Sequence, residues 1–288
     1  MPLDYAKLMN LKIEPTTTQY SRKDTILYAL GLGVGSAYPN DANELKYVYE
    51  PQLVALPTLA LTLAAGPMWL ADPKFGLNFR LLLHAEQSLR MHKPLPAEGA
   101  VLSQVTIDEI YDKGAAKGAI MYMTRKLYDQ ASGDLLVTMG IVTFLRGDGG
   151  FGGKSDGAPK PQAVPTDRPA DLTASLPVSL NQALIYRLAG DYNPLHIDPE
   201  VARSAGFDRP ILHGLCAYGM VGRALIKVLC GDNPARLRRL EVRFTSPVYP
   251  GEPLHVDIWN LGAGAAAFRL VASERNAVVE DFGRVEYE

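Results

Sequence analysis

An internal repeat constrains the fold of this 288-residue chain more than any other feature of its sequence. Three short segments recur in the same order in both halves, at separations of 158, 129 and 153 residues; the pairs are 26–28 with 184–186, 82–85 with 211–214, and 89–94 with 242–247. The last two separations differ by 24 residues, so the second copy has an additional element after His213-Gly214. We therefore predict two copies of one supersecondary unit, of which only the second is complete.

Both copies are predicted to consist mainly of β-strands. Runs of strand-forming residues between turn residues predict strands at 101–111, 118–128, 135–145, 172–177, 240–245, 254–260, 266–273 and 278–286. A helix is predicted over 214–229, where Gly219 and Gly222 indicate close packing against a sheet. The first copy passes from His84 almost directly to a strand near Leu89, so we predict that it lacks this helix.

The missing helix leaves room beside the N-terminal sheet. We predict that this half is a non-catalytic groove for a long apolar chain, since Gly33 and Gly35 occupy the positions that Asp191 and Asn193 have in the second copy. The alternative is that the apolar stretch 53–70 folds back and fills the space, because protein interiors are close-packed.

Composition divides the chain into three parts. Residues 148–168 are rich in Gly, Pro, Lys and Asp and lack periodicity, which predicts a linker or long surface loop between an N-terminal half, 1–147, and a C-terminal half, 169–288. Residues 1–20 are expected to be an irregular lead-in. Ser21 and Asp24 have the spacing of a capping box, which predicts a helix from there through Leu30.

Composition also argues against several kinds of partner. The formal net charge is −2, so we expect neither a nucleic-acid nor a membrane partner. Cys216 and Cys230, the only cysteines, would lie about 21 Å apart on one helix, too far for a disulfide, and no metal-binding spacing occurs. The glycines at 31, 33 and 35 follow a helix and not a strand, which argues against a dinucleotide site. The N-terminus lacks the pattern of a signal peptide, and a cytoplasmic location is expected.

The candidate chemistry lies in the segment 186–202. It contains Asp191, Asn193 and His196 within six residues. Pro194 disfavours helical backbone at the preceding residue, so we expect the three side chains to converge from a bend. A carboxylate beside an imidazole supplies two proton-transfer groups. The alternative is a capped turn without chemistry, because Asp and Asn favour turns for their local hydrogen bonds.

The longer string resembles the signature of the type-2 enoyl-CoA hydratases, the MaoC-like (R)-specific hydratases, which include the hydratase domain of peroxisomal multifunctional enzyme type 2. That signature is an aromatic residue, two residues, a small residue, Gly-Asp-x-Asn-Pro-hydrophobe-His, five residues, and Ala or Ser. Each position is met from Tyr186 to Ala202, and the family's His-Gly step is met at His213-Gly214. The resemblance implies an α+β double hot-dog fold with two antiparallel sheets, whose central helix is kept in the C-terminal half and missing in the N-terminal half.

The resemblance also implies roles for residues of this chain. Asp191 and His196 would share the proton transfers to and from one water, Asn193 would hold that water, and the Gly214 N–H would stabilise the thioester oxygen. Substrate contacts are implied for His84, Ala85, Lys113, Tyr192, Pro194, Leu195 and Phe244; Ala85 replaces the family's usual Gly. For His213 we favour hydrogen bonding at the helix start over a role in substrate binding.

The predicted function is reversible syn hydration of trans-2-enoyl-CoA to (3R)-3-hydroxyacyl-CoA in fatty acid metabolism. Coenzyme A would enter as part of the substrate, with no cofactor and no metal, and the chain would form a homodimer. Two alternatives stay open. One is a MaoC-type dehydratase acting on a branched, dicarboxylic or steroid-derived acyl-CoA, and the other is a non-catalytic acyl-CoA-binding protein.

Overall fold

The computed structural model describes residues 3–36, 40–63 and 68–288, apart from the side chains of Met68, Trp69 and Arg80. Its strands are β1 (Thr16–Tyr20), β2 (Leu82–Met91), β3 (Gly99–Asp112), β4 (Ala119–Asp129), β5 (Leu135–Leu145), β6 (Leu172–Leu176), β7 (Leu237–Phe244), β8 (Leu254–Gly262), β9 (Ala265–Ala272) and β10 (Ala277–Tyr287). Its α-helices are α1 (Tyr5–Met9), α2 (Arg22–Gly31), α3 (Ala42–Leu45), α4 (Gln182–Tyr186), α5 (Pro199–Ser204) and α6 (Gly214–Leu229).

All ten strands form one antiparallel sheet in the order β1-β3-β4-β5-β2-β7-β10-β9-β8-β6. The prediction of two sheets is corrected here, because β2 pairs with β7 and joins the sheets of the two halves. Glu86 of β2 lies opposite Arg243 of β7, and the Arg243 Nε donates to the Glu86 carboxylate at 2.8 Å. The two halves are therefore linked by backbone and side-chain bonds.

Helix α6 lies at the centre of the largest apolar cluster, which contains residues from both halves. It has the bounds predicted from the sequence, and the segment after His84 continues as strand β2. A Cβ at Gly219 would lie 2.7 Å from Leu32, and one at Gly222 would lie 3.1 Å from Thr58 and 3.2 Å from Leu240. The helix glycines thus allow close packing against the N-terminal half as well as against the sheet.

The apolar stretch that starts at residue 53 folds back onto this cluster. Pro57–Leu61 form a 3-10 helix in contact with α6, and Leu59 and Leu63 are 1% and 3% exposed. The described part of the stretch, to Leu63, therefore packs into the core as the space-filling alternative expects, and the acyl groove stays a prediction. Gly66 and Pro67, which interrupt the stretch, lie outside the described residues. No helix in the described part of the chain is long and apolar enough to cross a membrane.

The segment 148–168 is tied to the sheet along its length, which its composition did not indicate. The Gly157 carbonyl accepts a hydrogen bond from the Tyr111 hydroxyl at 3.0 Å, and the Ala163 carbonyl accepts one from Arg284 at 2.7 Å. Val164 is buried against Trp259 and Ala267. The segment therefore crosses the sheet as a fixed strap.

Several local predictions are confirmed and others are wrong. The predicted capping box at Ser21 is present. The lead-in 1–20 is not irregular, since it contains α1 and β1. Helix α4 ends at Tyr186 and continues as a 3-10 turn to Ala189, and Asp198 caps α5 with Pro199 as its first residue.

Candidate active site

The turn after α4 brings the predicted catalytic residues together. Gly190 has φ = 127°, which favours glycine and turns the chain away from the helix axis. The Asn193 N–H donates to the Asp191 carboxylate at 3.2 Å, and the Asn193 side-chain oxygen accepts from the Leu195 N–H at 3.1 Å. That oxygen caps the 3-10 turn Pro194–His196, so the NH₂ group of Asn193 is the end that can donate to a water.

His196 presents one ring nitrogen as a base. Its Nδ1 lies 2.9 Å from the Ile211 carbonyl, which can only accept, so the proton lies on Nδ1 and the lone pair on Nε2. The residue is buried, and burial lowers the pKa of His196, while the Ile211 hydrogen bond and the Asp191 carboxylate oppose that shift. The ring is thus held neutral in one tautomer, which is the form a general base requires.

His213 lies between the catalytic turn and α6. Its Nε2 donates to the Asp191 backbone carbonyl at 3.1 Å, and its ring stacks on the His196 ring at a centroid distance of 3.7 Å and an interplanar angle of 28°. The hydrogen bond that we expected from the His213 side chain to the start of α6 is absent. The side chain bonds to the backbone of Asp191 in the catalytic turn instead.

Asp191, His196 and His213 each offer a ligand-type atom within 4.8 Å of the others. Two imidazoles and a carboxylate are a ligand set that transition metals accept. The ring centroids lie 3.7 Å apart with planes at 28°, so the lone pairs, which lie in the ring planes, are held in two stacked planes and do not readily converge on one ion. The arrangement favours proton transfer, and the absence of a required metal stays a prediction.

The start of α6 supplies a donor beside these groups. Gly214 is the first residue of the helix and is exposed, and the first N–H groups of a helix have no acceptor within it. A Cβ at Gly214 would lie 3.4 Å from the Phe244 ring, so this ring forms one wall beside the helix start. The placement suits an oxyanion hole, to which the helix dipole would add.

His84 and Ala85 lie across Phe244 from the helix. The His84 and Phe244 rings meet edge to face at 5.2 Å, and Ala85 is the unpaired residue of a bulge in β2. Bulges near active sites redirect side chains. Burial lowers the pKa of His84 to about 4, so this imidazole is neutral at physiological pH.

Lys113 lines a separate cavity of about 810 Å³, together with Lys117, Phe144 and Arg146. Its Nζ donates to the Ser155 carbonyl at 2.5 Å. The turn is fixed by Asp112, whose carboxylate accepts backbone N–H bonds from Gly114, Gly150 and Gly152 at 2.7–2.8 Å. These bonds lower the pKa of Asp112, so the glycine-rich segment 149–153 is held by a carboxylate.

The other predicted contact residues lie on the outer side of the turn. Tyr192 is 59% exposed and its ring lies 5.0 Å from the Arg187 guanidinium, while Pro194 is exposed and Leu195 is half-buried. The structure brings them to the turn, and their contact with substrate stays a prediction.

Sequence reasoning missed two backbone contributions. The Ile211 carbonyl sets the tautomer of His196, and the Thr62 carbonyl lies 3.5 Å from where a Cβ of Gly190 would be. Neither depends on a side chain, so no residue type marks them. Because Thr62 belongs to the apolar stretch 53–70, this contact shows that the stretch lies beside the catalytic turn.

Comparison with known proteins gives a consistent result. Residues 18–147 match the MFE-2 hydratase 2 N-terminal domain, and residues 162–281 match the MaoC like domain. The chain is 39% identical to "Probable enoyl-CoA hydratase 2" of Dictyostelium discoideum over 98% of this chain and 96% of that protein. It is 42% identical to "3-hydroxyacyl-thioester dehydratase Y" of Mycobacterium tuberculosis over 95% of each.

A solved structure has the same architecture. The MaoC-like dehydratase from Phytophthora capsici superposes with a TM-score of 0.86 and 34% identity, covering 98% of each chain. With the sheet order described above, this likeness gives the double hot-dog fold. Two family domains in sequence, relatives aligned from end to end and an Asp/His turn beside a helix start all lead to one assignment: the chain belongs to the MaoC-like hydratase 2 family.

Proposed function

We propose that this protein is an (R)-specific 2-enoyl-CoA hydratase, which reversibly converts trans-2-enoyl-CoA to (3R)-3-hydroxyacyl-CoA in fatty acid metabolism. The observation that carries the proposal is the juxtaposition of the Asp191 carboxylate, the His196 Nε2 and the start of α6. A binding protein would need a groove but no fixed base. The names of the relatives, a hydratase and a dehydratase, describe the two directions of the same reaction.

In the proposed reaction the Asn193 NH₂ group and the acid–base pair hold a water over C3. The water oxygen bonds to C3 while one of its protons passes to His196 Nε2 or to the Asp191 carboxylate. Electron density moves from the double bond to the thioester oxygen, where the Gly214 N–H stabilises it. C2 then takes a proton from the same pair, so the net change is addition of H and OH to one face.

The cavity at Lys113 is the proposed site of the coenzyme A phosphates. Lys113, Lys117 and Arg146 place three cationic side chains around it. Flexible cations of this kind meet phosphates well. The pantetheine arm would reach Gly214 beside Phe244, whose ring contacts His84 and lies next to the start of α6.

The N-terminal half is proposed to receive the acyl group, since Thr62 and His84 of that half border the catalytic turn and Phe244.

The proposal includes three further statements: the reaction uses no cofactor beyond the coenzyme A of the substrate, the chain acts as a homodimer, and it acts in the cytoplasm.

The acid–base assignment is tested with Asp191→Asn and His196→Ala. Each should lower kcat for crotonyl-CoA by at least ~10²-fold, the usual scale of general acid–base catalysis. His92→Ala, an exposed histidine bonded to Thr138, should keep its activity. Near-normal turnover in either catalytic variant contradicts the assignment.

A further inference from the structure

We propose that His213 is a positioning residue of the hydratase reaction: as a neutral imidazole it fixes the backbone of Asp191 and the ring plane of His196. The inference rests on the proposed function and concerns a residue that touches neither water nor thioester in that mechanism. Three observations support it.

The first is a hydrogen bond that joins two elements. The His213 Nε2 donates to the Asp191 carbonyl at 3.1 Å, across 22 residues of sequence. Asp191 lies directly after Gly190, whose φ of 127° gives the turn little intrinsic preference for one conformation. The bond therefore ties a permissive turn to the first residue before α6, on which the oxyanion donor Gly214 is also built. One side chain sets the distance between the acid–base pair and the oxyanion hole.

The second observation is a stack of rings. His213 contacts His196 at a centroid distance of 3.7 Å and Tyr186 at 4.9 Å, and it is itself 1% exposed. Tyr186 in turn meets Tyr28 at 5.9 Å. Because His196 is held at one nitrogen by the Ile211 carbonyl, rotation about that bond would still swing Nε2. The His213 ring blocks this rotation on one side.

The third observation is an unsatisfied atom. The proton on Nε2 leaves Nδ1 of His213 as an acceptor, and within the described residues this buried atom has no hydrogen-bond partner. A buried polar atom without a partner costs about 1–3 kcal/mol. A phenyl ring would fill similar space without that cost, so stability alone does not account for an imidazole at this position.

The charges around His213 agree with a neutral role. The pKa of His213 is lowered to about 4, mainly by burial and also by the neighbouring His196 and Arg187, while the Asp191 carboxylate and the bond to its carbonyl act in the opposite direction. Tyr186, the remaining titratable neighbour, has its pKa raised well above its usual value by burial and is neutral. His213 therefore does not compete with His196 for a proton at physiological pH.

The test compares two substitutions of His213, one that keeps its hydrogen-bond donor and one that keeps its stacking ring. His213→Gln keeps an N–H donor near the position of Nε2, and His213→Phe keeps the stacking ring but removes the donor. We expect His213→Phe to lower kcat for crotonyl-CoA by ~10²-fold, the effect of a misplacement of about 1 Å, with KM within about threefold of wild type. We expect His213→Gln to retain most of the kcat that His213→Phe loses.

Thermal unfolding supplies the readout that separates positioning from structure. His213→Phe removes an unsatisfied acceptor but also the bond to the Asp191 carbonyl, and these two changes are similar in size and opposite in sign, so it should unfold at about the same temperature as wild type although it is the less active variant. Parallel losses of Tm and kcat, failure of His213→Phe to fold, or unchanged kcat in that variant would each overturn the proposal. Wild-type protein without hydratase activity would instead refute the proposed function, while the Tm comparison would still stand.

Discussion

At the scale of single residues, the site depends on which ring nitrogen carries the proton. The bond from His196 Nδ1 to the Ile211 carbonyl leaves Nε2 as the base, and burial lowers the pKa of the ring. The sequence could indicate that Asp191, Asn193 and His196 converge, because a glycine precedes them and a proline follows Asn193. It could not indicate the tautomer, since the partner that sets it is a main-chain atom 15 residues away.

The lowered pKa of His196 has a consequence for the pH profile. A base acts in its neutral form, and an ordinary histidine loses half of that form at about pH 6.5. In this protein the neutral form persists to lower pH, so the acid limb of kcat/KM for crotonyl-CoA should have its midpoint below pH 6.5. Far-UV circular dichroism at each pH shows whether the fold is retained. An acid limb centred above pH 7 would contradict this assignment of the base.

At the scale of elements, helix α6 matters to the site because its first residue, Gly214, carries the N–H that we propose as the oxyanion donor. Gly214 is at the first helical position, where proline is well tolerated, and His213 has φ = −60° and ψ = 132°, the extended backbone that a following proline requires. This position therefore allows the N–H to be removed with little disturbance of the helix.

Gly214→Pro should lower kcat by ~10²- to 10³-fold, the effect of losing one oxyanion donor, while the protein stays folded. Gly214→Ala is the matched control, because it keeps the N–H and adds a Cβ at an ordinary contact distance of 3.4 Å from Phe244. Steady-state kinetics on crotonyl-CoA and thermal unfolding of both variants measure the effect. Equal kcat in the two variants would show that the Gly214 N–H does not meet the thioester oxygen.

Elements with a strong sequence pattern of their own could be predicted, whereas elements that form only through pairing with another strand could not. Strand β5 and helix α6 have the predicted bounds, because apolar periodicity and flanking glycines mark them. Strand β1 was missed because its five residues are mostly exposed and polar, and its pairing with β3 makes it a strand. The same holds for the candidate site. The sequence predicted that residues of the turn converge and that Gly214 begins a helix, but it did not predict that His213 connects the two.

At the scale of the whole molecule, the two halves share one sheet and one core but have different tasks. The repeat correctly indicated two units, yet it could not show that β2 pairs with β7, since the pairing of two sheet edges depends on their geometry in the folded protein. It also left open what occupies the place of the missing helix. Leu59 and Leu63 of the apolar stretch lie in the apolar cluster that α6 shares, and the 3-10 helix that contains Leu59 contacts α6. One active site per chain follows, because only the second copy has the Asp191 turn.

The most direct test of the account is the configuration of the product. Purified protein is incubated with crotonyl-CoA, the loss of enoyl absorbance is followed, and the 3-hydroxybutyryl-CoA that forms is resolved by chiral chromatography. The account predicts hydration with (3R)-3-hydroxybutyryl-CoA as the dominant product, since one Asp/His site serves one face of the double bond. Predominant (3S) product, or no loss of enoyl absorbance with folded protein, would contradict it.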